Sequence, residues 1–300
     1  MYTESQKLMN DEIVIAEALQ GQVRIHAART TAMVSEAQKI HNCAPTSAAA
    51  LGRTMTVAAL MASDLKNPNE HVKVRIDGKG PCGAINVQAD GAGNVRGLIG
   101  NPGVHMVRSD GHLAVGQAVG INGSLTVSRD MGLKEPFTGI VPLQTGEIGD
   151  DFAYYYAVSE QTPSVVAVGV LIDTDLSVNS AGGLIFQLLP NAEEETIEAV
   201  EKVAREMKHV SEYMKEERSV DDIVRELFPD AAILSHKPVQ WHCDCSKDHF
   251  ADALATLYDK DLKDMIEEDH GAEIVCDYCH KAYQFTEAEL QQILEGKHRA

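Results

Sequence analysis

Four of the chain's six cysteines are grouped as Cys243-Asp244-Cys245 and, after 30 intervening residues, Cys276-Asp277-Tyr278-Cys279. Zinc accepts four thiolates in a strain-free tetrahedron, and two short chelating pairs deliver them at low loop-closure cost. The spacing therefore predicts a zinc site with Cys243, Cys245, Cys276 and Cys279 as ligands. Each short pair can also bridge internally, and such oxidation would consume the ligands and expel the metal. The motif is a structural staple or a switch, and spacing alone leaves both open. Bound zinc holds the sulfurs as thiolates, the species oxidants attack, while its charge tempers their reactivity. Asp244 and Asp277 add negative field, read either as a built-in weakness towards oxidants or as solvated loop residues.

His242, His249, His270 and His280 lie nearby and could replace a sulfur, but the cysteines already complete the tetrahedron. Cys276 to His280 also spells CxxCH, the c-type haem attachment pattern, which leaves the CxC pair unexplained and belongs to exported chains. Cys43 and Cys82 have no partner visible in sequence and read as plain buried thiols.

The segment that carries the motif, Lys237 to Ala300, is too small for a self-sufficient core. Its folding should depend on metal, which contributes roughly 10–16 kcal/mol of apparent binding energy in small zinc modules. The remainder of a 300-residue chain that is 44% apolar can bury one full core. A formal charge of −19 argues against nucleic acid as a partner, since phosphate binding needs a basic surface. No stretch approaches a membrane span, so no membrane partner is expected. Met1 to Gln20 has no apolar run long enough for a signal peptide, and reduced, metal-clustered thiols fit a reducing cytoplasm.

Three regions follow from the patterning: a core domain over 1–190, a charged amphipathic helical linker over 191–236, and a zinc domain over 237–300. Thr46 to Leu65, rich in alanine, leucine and methionine, predicts a buried helix ended by Asn67-Pro68. From Val72 to Ile172, short alternating runs separated by glycine turns predict mostly antiparallel sheet, with helices packed on one face. The expected class is α+β. Gly91, Gly93 and Gly97 form GxGxxxG within a hairpin pattern, not a dinucleotide fingerprint. No GxxxxGK[ST], HExxH or GxSxG motif is present, so familiar motif-bearing catalysis has no support.

Asn191 with Glu194 predicts the start of the linker helix, and Ile197, Val200, Val203, Met207, Val210 and Met214 form one apolar stripe. The stripe is expected to dock on the preceding domain and, when released, to offer surface to other proteins. Ser219 with Asp222 caps a second helix containing Ile223, Leu227 and Phe228, stopped by Pro229. A last helix is expected from Thr286 to Gly296.

At this point the chain resembles the redox-regulated 33-kDa heat-shock chaperone family nearly end to end. The likeness is carried by Leu51-Gly52-Arg53, Val95-Arg96-Gly97, Tyr155 to Gln161 with Pro163-Ser164, Ala181-Gly182-Gly183 leading to Gln187-Leu188-Leu189-Pro190, and the CxC and CxxC pairs. The resemblance implies an ATP-independent holdase, not an enzyme, that is inactive while reduced and zinc-bound and binds unfolding proteins under oxidative stress. It also implies local disulfides, Cys243 with Cys245 and Cys276 with Cys279, zinc release and a homodimer on oxidation. The competing readings are a zinc-stapled protein-interaction module without redox switching and a CxxC redox enzyme, for which a thioredoxin-like βαβ context is absent.

Overall fold

The computed structural model describes residues 10–190 and 192–297, and the chain divides into two compact units at His242 and Cys243. The first unit contains two sheets. One is antiparallel and comprises β1 (Glu12–Ala18), β2 (Val23–Arg29), β8 (Ser164–Ile172), β9 (Val178–Leu188) and β10 (Ala232–Pro238), in the order β10-β1-β2-β9-β8. The other comprises β3 (His71–Asp77), β4 (Ile85–Asp90), β5 (Asn94–Ile99), β6 (Ser124–Asp130), β7 (Phe137–Pro142) and β11 (Gln240–Trp241), in the order β11-β5-β4-β3-β6-β7. Its strands pair antiparallel apart from the short parallel β11–β5 contact.

Helix α1 (Thr31–His41) and helix α2 (Pro45–Ala62) share the core between the sheets, where α2 packs on β3 to β5 on one side and on β8 and β9 on the other. Every residue of α2 is buried except Arg53. A helix apolar all round must be enclosed on every side, and its Ala, Gly, Ser and Thr residues let two sheets approach it. This corrects the expectation of one meander with helices on a single face. The strands from Val72 to Ile172 belong to two sheets because α2 buries its entire circumference. The α+β class holds, with antiparallel sheets and ten helices among the described residues.

The glycine run is a hairpin turn, as read. Gly93 has φ +90, and a Cβ there would stand 2.0 Å from the Pro238 carbonyl oxygen; at Gly97 one would stand 3.0 Å from Leu51 and Met55 of α2.

The start of α1 receives its cap from elsewhere in the chain. Thr30 supplies no side-chain bond, and Asp11 instead accepts from the amides of Ala32 (3.1 Å) and Met33 (2.7 Å). Burial nonetheless outweighs those bonds and pushes the Asp11 carboxyl up to about 6. Raised above its ordinary 3.8, the group makes the folded state bind more protons than the unfolded state between pH 3.8 and about 6. Stability is therefore lost as pH rises through that window, by an amount on the order of 2 kcal/mol. The melting temperature of the native chain minus that of Asp11→Asn should fall across it as pH rises. A difference that is flat with pH would show that Asp11 does not titrate there.

Helices α5 (Glu194–Glu206), α6 (Val210–Lys215) and α7 (Val220–Leu227) cover the outer face of the first sheet; α3 (Val115–Val119) and α4 (Gly149–Val158) lie earlier in the unit. The linker is thus packed as part of the first unit, which runs on through β10 and β11 to His242, beyond the expected boundary at 236. The helix start expected at Asn191 lies outside the described residues, and Glu193 occupies the N-cap position of α5.

The second unit contains α8 (Lys247–Leu254), α9 (Asp259–Glu267), the hairpin β12 (Gly271–Val275) and β13 (Ala282–Thr286), and α10 (Glu287–Lys297). Thr286 and Glu289 exchange capping bonds at the start of α10: Glu289 N donates to Thr286 Oγ1 at 3.3 Å, and Thr286 N to Glu289 Oε2 at 2.9 Å. No helix among the described residues is long and apolar enough to cross a membrane.

Candidate functional site

The hairpin of the second unit presents one cysteine pair to the other. Cys276 and Cys279 occupy the turn between β12 and β13, closed by His280 N donating to Cys276 O (2.8 Å) and Cys276 N to Lys281 O (3.0 Å). Cys243 and Cys245 lie on the segment before α8, which Ser246 caps by accepting from His249 N at 3.1 Å. Cys243 Sγ is 3.8 Å from Cys276 Sγ, Cys245 Sγ is 3.3 Å from Cys279 Sγ, and all four sulfurs lie within 4.8 Å of one another.

Tetrahedral zinc with bonds of about 2.3 Å sets its sulfurs about 3.8 Å apart, so the cluster fits the ion with only small shifts. Its charge chemistry points the same way. Burial opposes the thiolate at Cys245, but hydrogen bonding by the Tyr283 hydroxyl and the neighbouring thiols outweighs it and holds that thiol below its ordinary value. At Cys279 burial, together with those same neighbours, pushes the thiol up to about 12. Thiols this close cannot all ionise near neutral pH unless a cation sits among them. The four cysteines can hold a metal ion. No histidine joins the group among the described residues: His249 stacks edge-on against Phe250, His270 pairs with Glu287 at 3.0 Å, and His242 and His280 are exposed. Asp244 and Asp277 are exposed as well, where solvent screens their field.

Tyr283 was not singled out by the sequence reading. Its hydroxyl lies 2.8 Å from the Cys245 carbonyl and 3.3 Å from Cys245 Sγ, and its ring belongs to the unit's core. The alternation Tyr283, Phe285 immediately after the CxxC pair was the available signal. Cys43 and Cys82 are buried in the first unit, and burial pushes their thiols up to about 12 and about 11. In the metal-free reduced chain, whose first unit stays folded, iodoacetamide should therefore label the terminal cluster well before either of them. Equal labelling would contradict this account.

The family model described as Hsp33 protein matches residues 11–286. The chain belongs to the Hsp33 family. It is 48% identical to the 33 kDa chaperonin of Shouchella clausii over 290 residues, 96% of this chain and 98% of that one. It is 45% identical to the 33 kDa chaperonin of Staphylococcus carnosus over 291 residues, 96% and 99% of the two chains. The solved structure of the 33 kDa chaperonin (heat shock protein 33 homolog) of Thermotoga maritima superposes with a TM-score of 0.87 at 33% identity, covering 97% of this chain and all of that one.

In this Hsp33 chain the linker stripe is two helices, not one. Helix α5 ends at Glu206 and α6 begins at Val210; between them the freed amide of Lys208 donates to the Tyr213 hydroxyl at 3.3 Å. Val200, Val210 and Met214 are buried on the first sheet, and Val203 and Met207 pack partly buried against the same cluster. Ile197 is half-buried, and beside it Thr196 is the buried residue, donating to Gln22 Oε1 at 2.8 Å. Tyr213, Val220, Ile223, Val224 and Phe228 complete the layer against Val14, Ile25, Leu184 and Phe186. Arg29, buried in β2, reaches across to donate to the carbonyls of Glu216 (3.3 Å) and Arg218 (2.8 Å), which ties the α6–α7 connection to the sheet.

Proposed function

We propose that this chain is a redox-regulated, ATP-independent holdase of the cytoplasm, silent while reduced and zinc-bound and active once oxidised. The observation that carries the reading is the four-sulfur cluster in a unit whose buried apolar core, among the described residues, is the small cluster Leu254, Leu262, Tyr283, Phe285, Leu290 and Leu294. So small a core makes the metal a main stabilising term, and sulfur oxidation a means of removing it.

Peroxide would join Cys243 to Cys245 and Cys276 to Cys279: each pair of thiolates would give two electrons to one peroxide, which would take two protons from solvent and leave as two waters. Cys243, Cys245, Cys276 and Cys279 would hold zinc as thiolates but not as two disulfides, so their oxidation would take away the second unit's metal staple and with it the unit's fold. Melting then passes along the chain through β11, a two-residue edge strand, and β10, the edge strand of the first sheet, to the linker helices. Their detachment bares the apolar face of the sheet around Ile25, Leu184 and Phe186, together with Val200, Val203, Met207, Val210 and Met214. Ile197 lies on α5 with Val200 and Val203. Unfolding clients bind there through hydrophobic contact, without a hydrolysis step, and oxidised chains pair as homodimers.

The test is a zinc and free-thiol titration before and after peroxide with mild heat, alongside light scattering from a chemically denatured client. The treated chain should release one zinc per four thiols lost, and it alone should suppress aggregation. Equal suppression by the reduced, zinc-loaded chain would remove the switch.

A further inference from the structure

One edge of the first sheet has no partner among the described residues. In the order β10-β1-β2-β9-β8, the last strand pairs only with β9. Which of its backbone groups face outward follows from the register. Leu188 N donates to Pro163 O at 3.0 Å, so pairs in step with them, such as Val165 with Phe186 and Gly169 with Gly182, are the hydrogen-bonded ones. The alternate residues Val166, Val168 and Val170 therefore turn their N–H and C=O groups away from β9. The Val166 carbonyl is covered by the start of α4, since a Cβ on Gly149 would stand 2.9 Å from it. At Val168 and Val170 no hydrogen-bond partner takes the outward groups among the described residues.

A cavity of about 730 Å³ runs along this stretch, lined by every residue from Val168 to Thr174. One wall comes from the α2 side, with Arg53, Glu147 and Leu113; the other is the start of α6, with His209, Val210 and Ser211. The strand's side chains divide the same way, Val168 and Val170 towards the α2 layer and Val165 and Ala167 towards the linker layer. A further strand added here would be covered on both faces, as β9 is.

We infer that the outward edge of β8 is a strand-addition site for an extended, uncharged apolar segment of an unfolding polypeptide, an inference that rests on the holdase reading. A row of alternating donors and acceptors is satisfied by extended peptide backbone, and the wall residues give it little charge to prefer. Arg53 and Glu147 neutralise each other at 2.9 Å, and Arg108 is held by Asp110 at 3.1 Å. Asp173 and exposed Glu212 on the lining disfavour an acidic occupant. A second copy of the chain is disfavoured as the occupant because its own β8 edge stays recessed behind the α2-side wall of Arg53, Glu147 and Leu113 when α6 lifts. Detachment of α6 widens the site.

The probe is an uncharged valine-threonine peptide of about ten residues, with binding to the oxidised full-length chain measured by fluorescence anisotropy. Two further versions carry N-methyl groups on alternate amides, in opposite phase. The version methylated on the amides that face β8 should bind about tenfold more weakly, the cost of roughly one or two main-chain bonds, and the other should bind like the parent. Val170→Pro, which deletes an outward N–H, should lower parent-peptide affinity by a similar factor and leave zinc release and thiol loss unchanged. Equal binding of both methylated versions overturns the proposal while the holdase stands. So does a Val170→Pro chain that loses dimerisation but keeps peptide affinity, since β8 would then serve a second copy. An oxidised chain that binds neither peptide nor denatured client defeats both readings.

Discussion

Chelation of the reduced, metal-loaded chain is expected to unfold residues 243–297 as a unit, with strands β1 to β9 of the first unit keeping their protection. Six buried apolar side chains form the core of this segment. So few buried side chains fall short of a self-sufficient core for a segment of this size. The hairpin of β12 and β13 and the caps at Ser246 and Thr286 narrow the gap without closing it. A tetrathiolate ion supplies roughly 10–16 kcal/mol, the largest single contribution available to this segment. Amide exchange resolved by residue is the measurement. Amides of β12, β13 and α10 should lose their slow exchange on chelation and regain it when zinc is restored. Unchanged protection in the metal-free reduced chain would remove the staple, and with it the physical basis of the switch.

A carboxylate placed under the linker should activate the chain without oxidant. Val210 and Met214 are 4% and 2% exposed, and Met214 packs so closely on the first sheet that a Cβ at Gly182 would stand 2.5 Å from its Cγ. Val210→Asp or Met214→Asp buries an uncompensated charge, an error that costs several kcal/mol unless the helix lifts away. Lifting is the cheaper outcome, because the α6–α7 connection is held chiefly by the two Arg29 bonds and by ion pairs that are partly exposed. Either variant should suppress client aggregation while still holding zinc, and limited proteolysis should cut between α5 and α7. Ile197→Asp, on the neighbouring helix α5 and only half-buried, should change neither readout by much. A Met214→Asp chain that stays protease-resistant and silent would show that docking does not control activity.

Some of this architecture could be read from residues and some could not. The buried helix at Thr46 was legible because small and apolar residues fill every face of it, and the hairpins were legible from strict alternation. The split into two sheets was not, because alternation reports which face of a strand is buried and not which sheet it joins. The pairing of β1 with β10 was missed for a related reason: it spans more than 200 residues, a contact with no local signature. Spacing found the four metal-cluster cysteines because two close pairs make a chelate wherever the chain brings them together. Tyr283 was overlooked since its part depends on a hydroxyl reaching Cys245 across the hairpin. In the linker, three- and four-residue steps identified Val200, Val210 and Met214, but not the interruption after Glu206, which contains neither proline nor glycine and is supported by a tyrosine hydroxyl five residues on.

The enclosure of α2 has a consequence for how damage spreads. A helix with no free face cannot sit half-assembled, because removing either sheet would strand its apolar circumference in water. The double-sheet body should therefore melt all at once or not at all, while pieces laid over its outside come away one by one. Under stress the molecule sheds its covering by degrees from an intact frame, and the same frame remains as the template on which the covering settles again.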